Sequence, residues 1–133
     1  MDRVRTVLGF VLGAFFVAGA FMHSVLGWKN ISGQLVAAKA PADLIAGLAL
    51  AWHLGGATMF TLGCIVLYVF VKFLRDRSCS LRVAQLIALF YIGFGIWAFS
   101  ESKLAFFVLT FAVPGLLLLV AATRSSGATS KTT

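Results

Sequence analysis

The chain has 133 residues, of which 61% are hydrophobic and only 11% charged, with a formal net charge of +7. A soluble domain is roughly half apolar and about a quarter charged, and one this small buries only about two-thirds of the surface its unfolded chain exposes. These figures exclude a soluble globular enzyme, a disordered regulator and a disulfide scaffold. They leave an integral membrane protein of one domain.

A spanning helix needs about 20 mainly apolar residues, because each adds about 1.5 Å against a hydrocarbon core of about 30 Å. Four segments qualify: 7–26, 44–71, 83–99 and 104–122. The first follows Arg3 and Arg5 and contains Ala18-Gly19-Ala20, which resembles a signal cleavage site. Its apolar run continues to Leu26, however, so a retained helix is expected. The second begins near Pro41 or Asp43, where Pro suits a first turn and Asp complements the helix dipole. Between them, Trp28 to Ala40 reads as the longest loop, with Ile31, Leu35 and Val36 forming a short amphipathic turn. Asn30-Ile31-Ser32 is a glycosylation sequon, relevant only in a eukaryotic source. In the fourth segment Pro114 lacks an N–H and crowds the Thr110 carbonyl, which predicts a kink. The Ser-, Thr- and Gly-rich stretch 123–133 reads as a disordered cytoplasmic tail, and residues 1–122 as one up-down four-helix transmembrane domain. No internal repeat is convincing.

The basic residues sit at the ends of apolar runs, so they are topogenic charges, and no nucleic-acid partner is expected. Arg3, Arg5, Lys72, Arg75, Arg77, Arg82, Arg124 and Lys131 fall on one side, and Lys29, Lys39 and Lys103 on the other. The positive-inside rule then puts both termini in the cytoplasm. Trp28, Trp52 and Trp97 collect at the outward ends as interface anchors. A multi-pass protein of a bacterial inner membrane fits this pattern. Cys64 and Cys79 have no C-x-x-C spacing, so the first reads as a small buried residue and the second as a loop thiol.

Apolar burial does not drive helices together in lipid, so small residues mark the contact faces. On the second helix Ala46, Ala49, His53, Gly56, Ala57, Phe60, Gly63 and Cys64 form one stripe. On the first, Gly9 and Gly13 make a small-xxx-small pair, and Gly19, Ala20 and Gly27 lie on the face of His23. The two histidines, His23 and His53, should therefore lie at similar depth in the outer half of the membrane. Three readings stand: each ring bonds a neighbouring helix; neutral imidazoles ligate haem iron, copper or zinc, with Glu101 as a third group; or the pair relays protons or contacts a quinone. Met22 and Met59 read as apolar filler, Glu101 and Lys103 as a solvated turn, and Gln85 and Tyr91 as groups seeking a bonding partner. No acidic residue lies mid-span. Gln85, Tyr91, Thr110 and Ser100 make a sparse polar path, which leaves a transporter or channel as the weakest alternative.

His23-Ser24-Val25-Leu26-Gly27, followed one helix later by Trp52-His53, resembles a group of small bacterial four-helix membrane proteins with a His-Ser-x-Leu-Gly segment and a Trp-His pair. The group is loosely similar to DoxX-like proteins in length and helix count. The resemblance covers roughly Leu8 to Leu62 and implies a pairing of the two histidines. It brings no activity with it. Such proteins often follow the glycine with an acidic and a basic residue, whereas Trp28-Lys29 stands here. The resulting expectation is an accessory or structural membrane subunit, associating with itself or a larger complex, with a paired-histidine polar site. A redox protein holding haem, copper or quinone through His23 and His53 is the alternative.

Overall fold

The computed structural model describes residues 2–123, and the expected tail, with Arg124 and Lys131, lies outside them. Among the described residues every regular element is helical. In chain order these are α1 (Asp2–Phe21), a π-helical segment (Met22–Gly27), α2 (Trp28–Ala37), α3 (Ala42–Arg75), α4 (Arg82–Ser102), α5 (Ala105–Phe107), a second π segment (Val108–Ala112) and α6 (Val113–Ala122). They line up as four rods, Arg3–Ala37, Ala42–Arg75, Arg82–Ser102 and Ala105–Ala122, each long and apolar enough to cross a membrane. The chain divides into two compact units, Met1–Cys79 and Ser80–Thr133, each containing one helical hairpin.

The first three rods outrun their sequence-predicted bounds because a charged residue at an apolar boundary does not end a helix. Its alkyl stem lies along the rod while its head reaches water. α3 starts on Pro41 as its cap, carries Asp43 in its first turn, and ends on Lys72 and Arg75, signs that match the helix dipole at both ends.

The largest correction concerns the stretch 28–40, predicted as a loop. Trp28–Ala37 is a helix that continues α1 through the π segment. Nothing in it forbids helix: there is no Pro, and a lone glycine such as Gly33 costs only about 1 kcal/mol. The Gln34 amide also donates to Asn30 one turn back (3.4 Å). The helix stops where Lys39 turns left-handed (φ 55°) and the residue before Pro41 leaves the α region. The Lys39 N–H then reaches the Val36 carbonyl (3.0 Å) and the Ala40 N–H the Leu35 carbonyl (3.0 Å), a Schellman closure.

In the first unit α1 and α3 run antiparallel. Gly9 faces the Phe70 ring, Gly13 faces Leu67, Gly63 faces Phe16 and Val17, and Gly56 faces Ala20 and Ser24. Leu12, Phe16, Ala20, Val66 and Phe70 are buried along this seam. Ala57, predicted on the same face, is exposed, and so is Cys64, predicted to be buried. Both project from the opposite side of α3, because a stripe drawn wide enough to hold all the small residues covers more of the helix than one neighbour can.

In the second unit α4 packs antiparallel to the π segment and α6. A Cβ on Gly95 would stand 2.6 Å from the Ala112 nitrogen, and one on Gly115 would stand 2.9 Å from the Ala88 carbonyl. The predicted break at Pro114 takes the form of the π segment just before it, in which the Val113 N–H reaches back to the Val108 carbonyl. Widening the turn relieves the clash between the proline ring and the carbonyl four residues earlier. Gln85 donates to the Ala122 carbonyl (3.2 Å), one of the last four that an α-helix leaves without an internal partner. Tyr91 is buried, 1% exposed, and stacks on Phe111 with centroids 6.0 Å apart. Glu101, expected in a turn, sits exposed in the last turn of α4, and Lys103 follows as the exposed cap, where it takes φ 58° and its Nζ donates to the Ser100 carbonyl (2.6 Å).

Candidate functional site: the histidine and tryptophan pairs of the first hairpin

His23 lies within the first π segment. A π turn holds about 4.4 residues against 3.6 for an α turn. Residues five apart, which an α-helix separates by about 140°, are then only about 50° apart. The bulge therefore swings Trp28 round to the face of His23. Its bonding shows the widening directly, since the Trp28 N–H reaches the carbonyl of His23, five residues back.

Opposite this segment, α3 presents Trp52 and His53. The His23 imidazole stacks flat on the Trp52 indole, with centroids 4.2 Å apart and planes 8° from parallel. Each ring also bonds the other's backbone. The Trp52 Nε1–H donates to the His23 carbonyl (2.7 Å), and the His23 Nε2 lies 3.2 Å from the Trp52 carbonyl. A carbonyl only accepts, so Nε2 carries a proton and donates it. The His23 carbonyl uses both lone pairs, one for Trp28 and one for Trp52. Such a reciprocal clasp fixes the angle and the register of the two rods together.

The second pair is looser. The Trp28 and His53 rings approach to 5.8 Å, tilted by 58°, and His53 is exposed. The small-residue stripe predicts His53 facing the neighbouring helix; it stands at the edge of that face, with its ring against Trp28. Among the described residues neither a hydrogen bond nor a ring contact joins His23 to His53; each takes a tryptophan of the other rod.

The clasp depends on close approach. A Cβ on Gly27 would stand 2.9 Å from the Trp52 ring, and one on Gly55 would stand 3.5 Å from the His23 Nε2. At Gly56 an added Cβ would meet the Ser24 hydroxyl, with the Ser24 Cβ at 3.2 Å. His23, Ser24, Gly27 and Trp52 thus meet at one helix crossing, with His53 at its edge. The tryptophans, predicted only as interface anchors, are the partners of the histidines. The spacing of five from His23 to Trp28 carried that signal, but it suits a π turn and falls outside any 3.6-residue period.

The remaining predicted groups stand elsewhere. Met22 is exposed, and the Met59 methyl lies near Gly19, as apolar filler does. Trp97 is exposed beside Phe94 on α4 (5.8 Å). Among the described residues no three His, Cys, Asp or Glu side chains come together. His23 has its ring face and one nitrogen engaged by Trp52, and neither a haem nor a metal site is shown at these residues.

Comparison with family models, with curated proteins and with solved structures gives no match.

Proposed function

We propose that this chain is a multi-pass protein of a bacterial inner membrane, crossing four times with both termini cytoplasmic and its helices packed as one bundle. In this reading it serves as an accessory or structural subunit of a larger membrane assembly, as the His-Ser-x-Leu-Gly resemblance suggests in general form. The observation that supports it is the reciprocal His23–Trp52 clasp. The most conspicuous polar group of the apolar rods is used to fix one helix on another. The rods so fixed are 35 and 34 residues long, roughly 50 Å each, against a hydrocarbon core of about 30 Å. The first hairpin therefore stands out of the bilayer on its tryptophan side. There α2 buries no residue and leaves Lys29, Asn30, Gly33 and Gln34 open along one face, with Gly33 uncrowded. A rigid, protruding helix with one open polar face suits attachment to another subunit.

Two measurements test this. Of single-cysteine variants at Lys39 and Arg75, with Cys64 and Cys79 replaced by serine, the first should be labelled by an impermeant maleimide in intact cells and the second only once the membrane is opened; same-side labelling overturns the topology. Extracted in mild detergent, the chain should sediment in an assembly heavier than its own oligomers. Gly33→Trp should release it from that assembly while its helicity is unchanged. A free chain, or an assembly indifferent to Gly33→Trp, overturns the subunit role. The redox alternative predicts a coloured or metal-loaded protein, and oxidised and reduced absorption spectra of the purified chain test it; a Soret band lost in His23→Ala would reinstate it.

A further inference from the structure

At the end of the first hairpin opposite the clasp, the antiparallel packing gathers cations from three parts of the chain. Arg3 and Arg5 stand in the first turns of α1, Lys72 and Arg75 in the last turn of α3, and Arg77 in the connection that follows. The Gly9 contact with Phe70 and the 3.3 Å bond from the Arg77 guanidinium to the Thr6 hydroxyl show that these segments share one end. Arg77 is also folded back over the hairpin, its guanidinium carbon 4.9 Å above the Phe73 ring. Five cations thus stand together against the sequence's Asp2 and Asp76. All but Arg5 are exposed, and Arg5 is half-buried. Thr6, buried beneath them, and Phe70 and Phe73 mark where apolar packing gives way to charge.

We propose that this end is a binding surface for anionic phospholipid headgroups. The inference rests on the membrane-spanning reading but not on which leaflet the end faces. Charge complementarity selects the occupant. Clustered like charges repel one another, and a leaflet of anionic phosphates removes that repulsion while the arginine and lysine stems lie along the apolar rod. Guanidinium pairs phosphate oxygens bidentately, so four arginines favour a phosphodiester over bulk chloride. Each basic residue at a leaflet surface strengthens attraction to anionic lipid roughly fivefold at low salt, and the effect fades beyond a Debye length.

The test uses the full chain reconstituted in phosphatidylcholine vesicles with and without phosphatidylglycerol. The association of spin-labelled phosphatidylglycerol is read relative to spin-labelled phosphatidylcholine. The wild type should prefer the anionic label several-fold, and added salt should erode that preference. Lys72→Gln with Arg75→Gln should remove most of that preference, leaving the two labels nearly equal, and unchanged circular dichroism shows that the fold persists. Lys39→Gln with Lys103→Gln should leave it intact. Equal association of the two labels, or a preference the Lys72/Arg75 variant retains, overturns the proposal. Displacement of the label by excess inorganic phosphate at constant ionic strength makes the occupant a soluble anion and overturns the lipid assignment. A chain that enters neither vesicle, and is stripped at alkaline pH, overturns the membrane-spanning reading as well.

Discussion

In the hairpin of α1 and α3, most glycines face side chains: Gly9 the Phe70 ring, Gly13 Leu67, Gly27 the Trp52 ring and Gly56 the Ser24 hydroxyl, with Gly63, 2.9 Å from the Val17 nitrogen, the exception. In the hairpin of α4 and α6, glycines face backbone, Gly95 against the Ala112 nitrogen and Gly115 against the Ala88 carbonyl. The second hairpin adds a run of rings, Tyr91, Phe94, Phe107 and Phe111, within contact of one another. The first instead fixes its register with the two bonds of the clasp. Two antiparallel pairs of apolar helices therefore reach close contact by different means. A side chain can rotate away from an intruding methyl group, whereas a backbone must move as a whole.

That difference sets the largest expected effect. Gly95→Ala puts a methyl group 2.6 Å from a main-chain nitrogen and should destabilise by about 2–3 kcal/mol, measured by unfolding in bicelles. Gly56→Ala should cost only about 1 kcal/mol, and Ser24→Ala should restore much of it, because the obstacle is a hydroxyl. Equal losses in the two hairpins, or no rescue by Ser24→Ala, would break the comparison. A double-mutant cycle between His23→Ala and Trp52→Ala should return a coupling of about 1 kcal/mol, the scale of interhelical bonds in membranes. The same cycle between His23→Ala and His53→Ala should come out close to additive. Strong coupling there would restore a shared histidine site. The smallest effect lies in the turns, where Lys39 holds φ 55°, a conformation that glycine adopts without strain. Lys39→Gly should stabilise by about 0.5 kcal/mol, seen as a small rise in the unfolding midpoint.

Much of this was legible in the sequence. The four apolar runs, the start of α3 at Pro41 and Asp43, the break near Pro114 and the bond from Gln85 all follow from hydropathy, caps and missing donors. The helical course of 28–37 is not legible there, because polarity is also the signal of a loop. A helix that leaves the bilayer is polar for the same reason that a loop is. The histidine partners were hidden for another reason. Periodicity assigns faces on the assumption of 3.6 residues per turn, and the π segment Met22–Gly27 breaks that count where the site is built. A stripe also shows which residues are small, but not which of them a single neighbour will cover, as exposed Ala57 and Cys64 illustrate.

The π segment also makes the chain's length forgiving at this point. A π bulge equals one extra residue inserted into an α-helix. Deleting one residue between Ser24 and Gly27 would let the rod close into plain α-helix with its span and hydropathy nearly untouched. Trp28, then four residues from His23, would stand about 40° from it, against about 50° in the π turn, so it would keep the face of His23 and α2 would keep its side. Closing the turn without losing a residue is what would carry Trp28 away, to about 140° from His23. The register of the hairpin's outer end thus depends on the width of one turn more than on the number of residues in it.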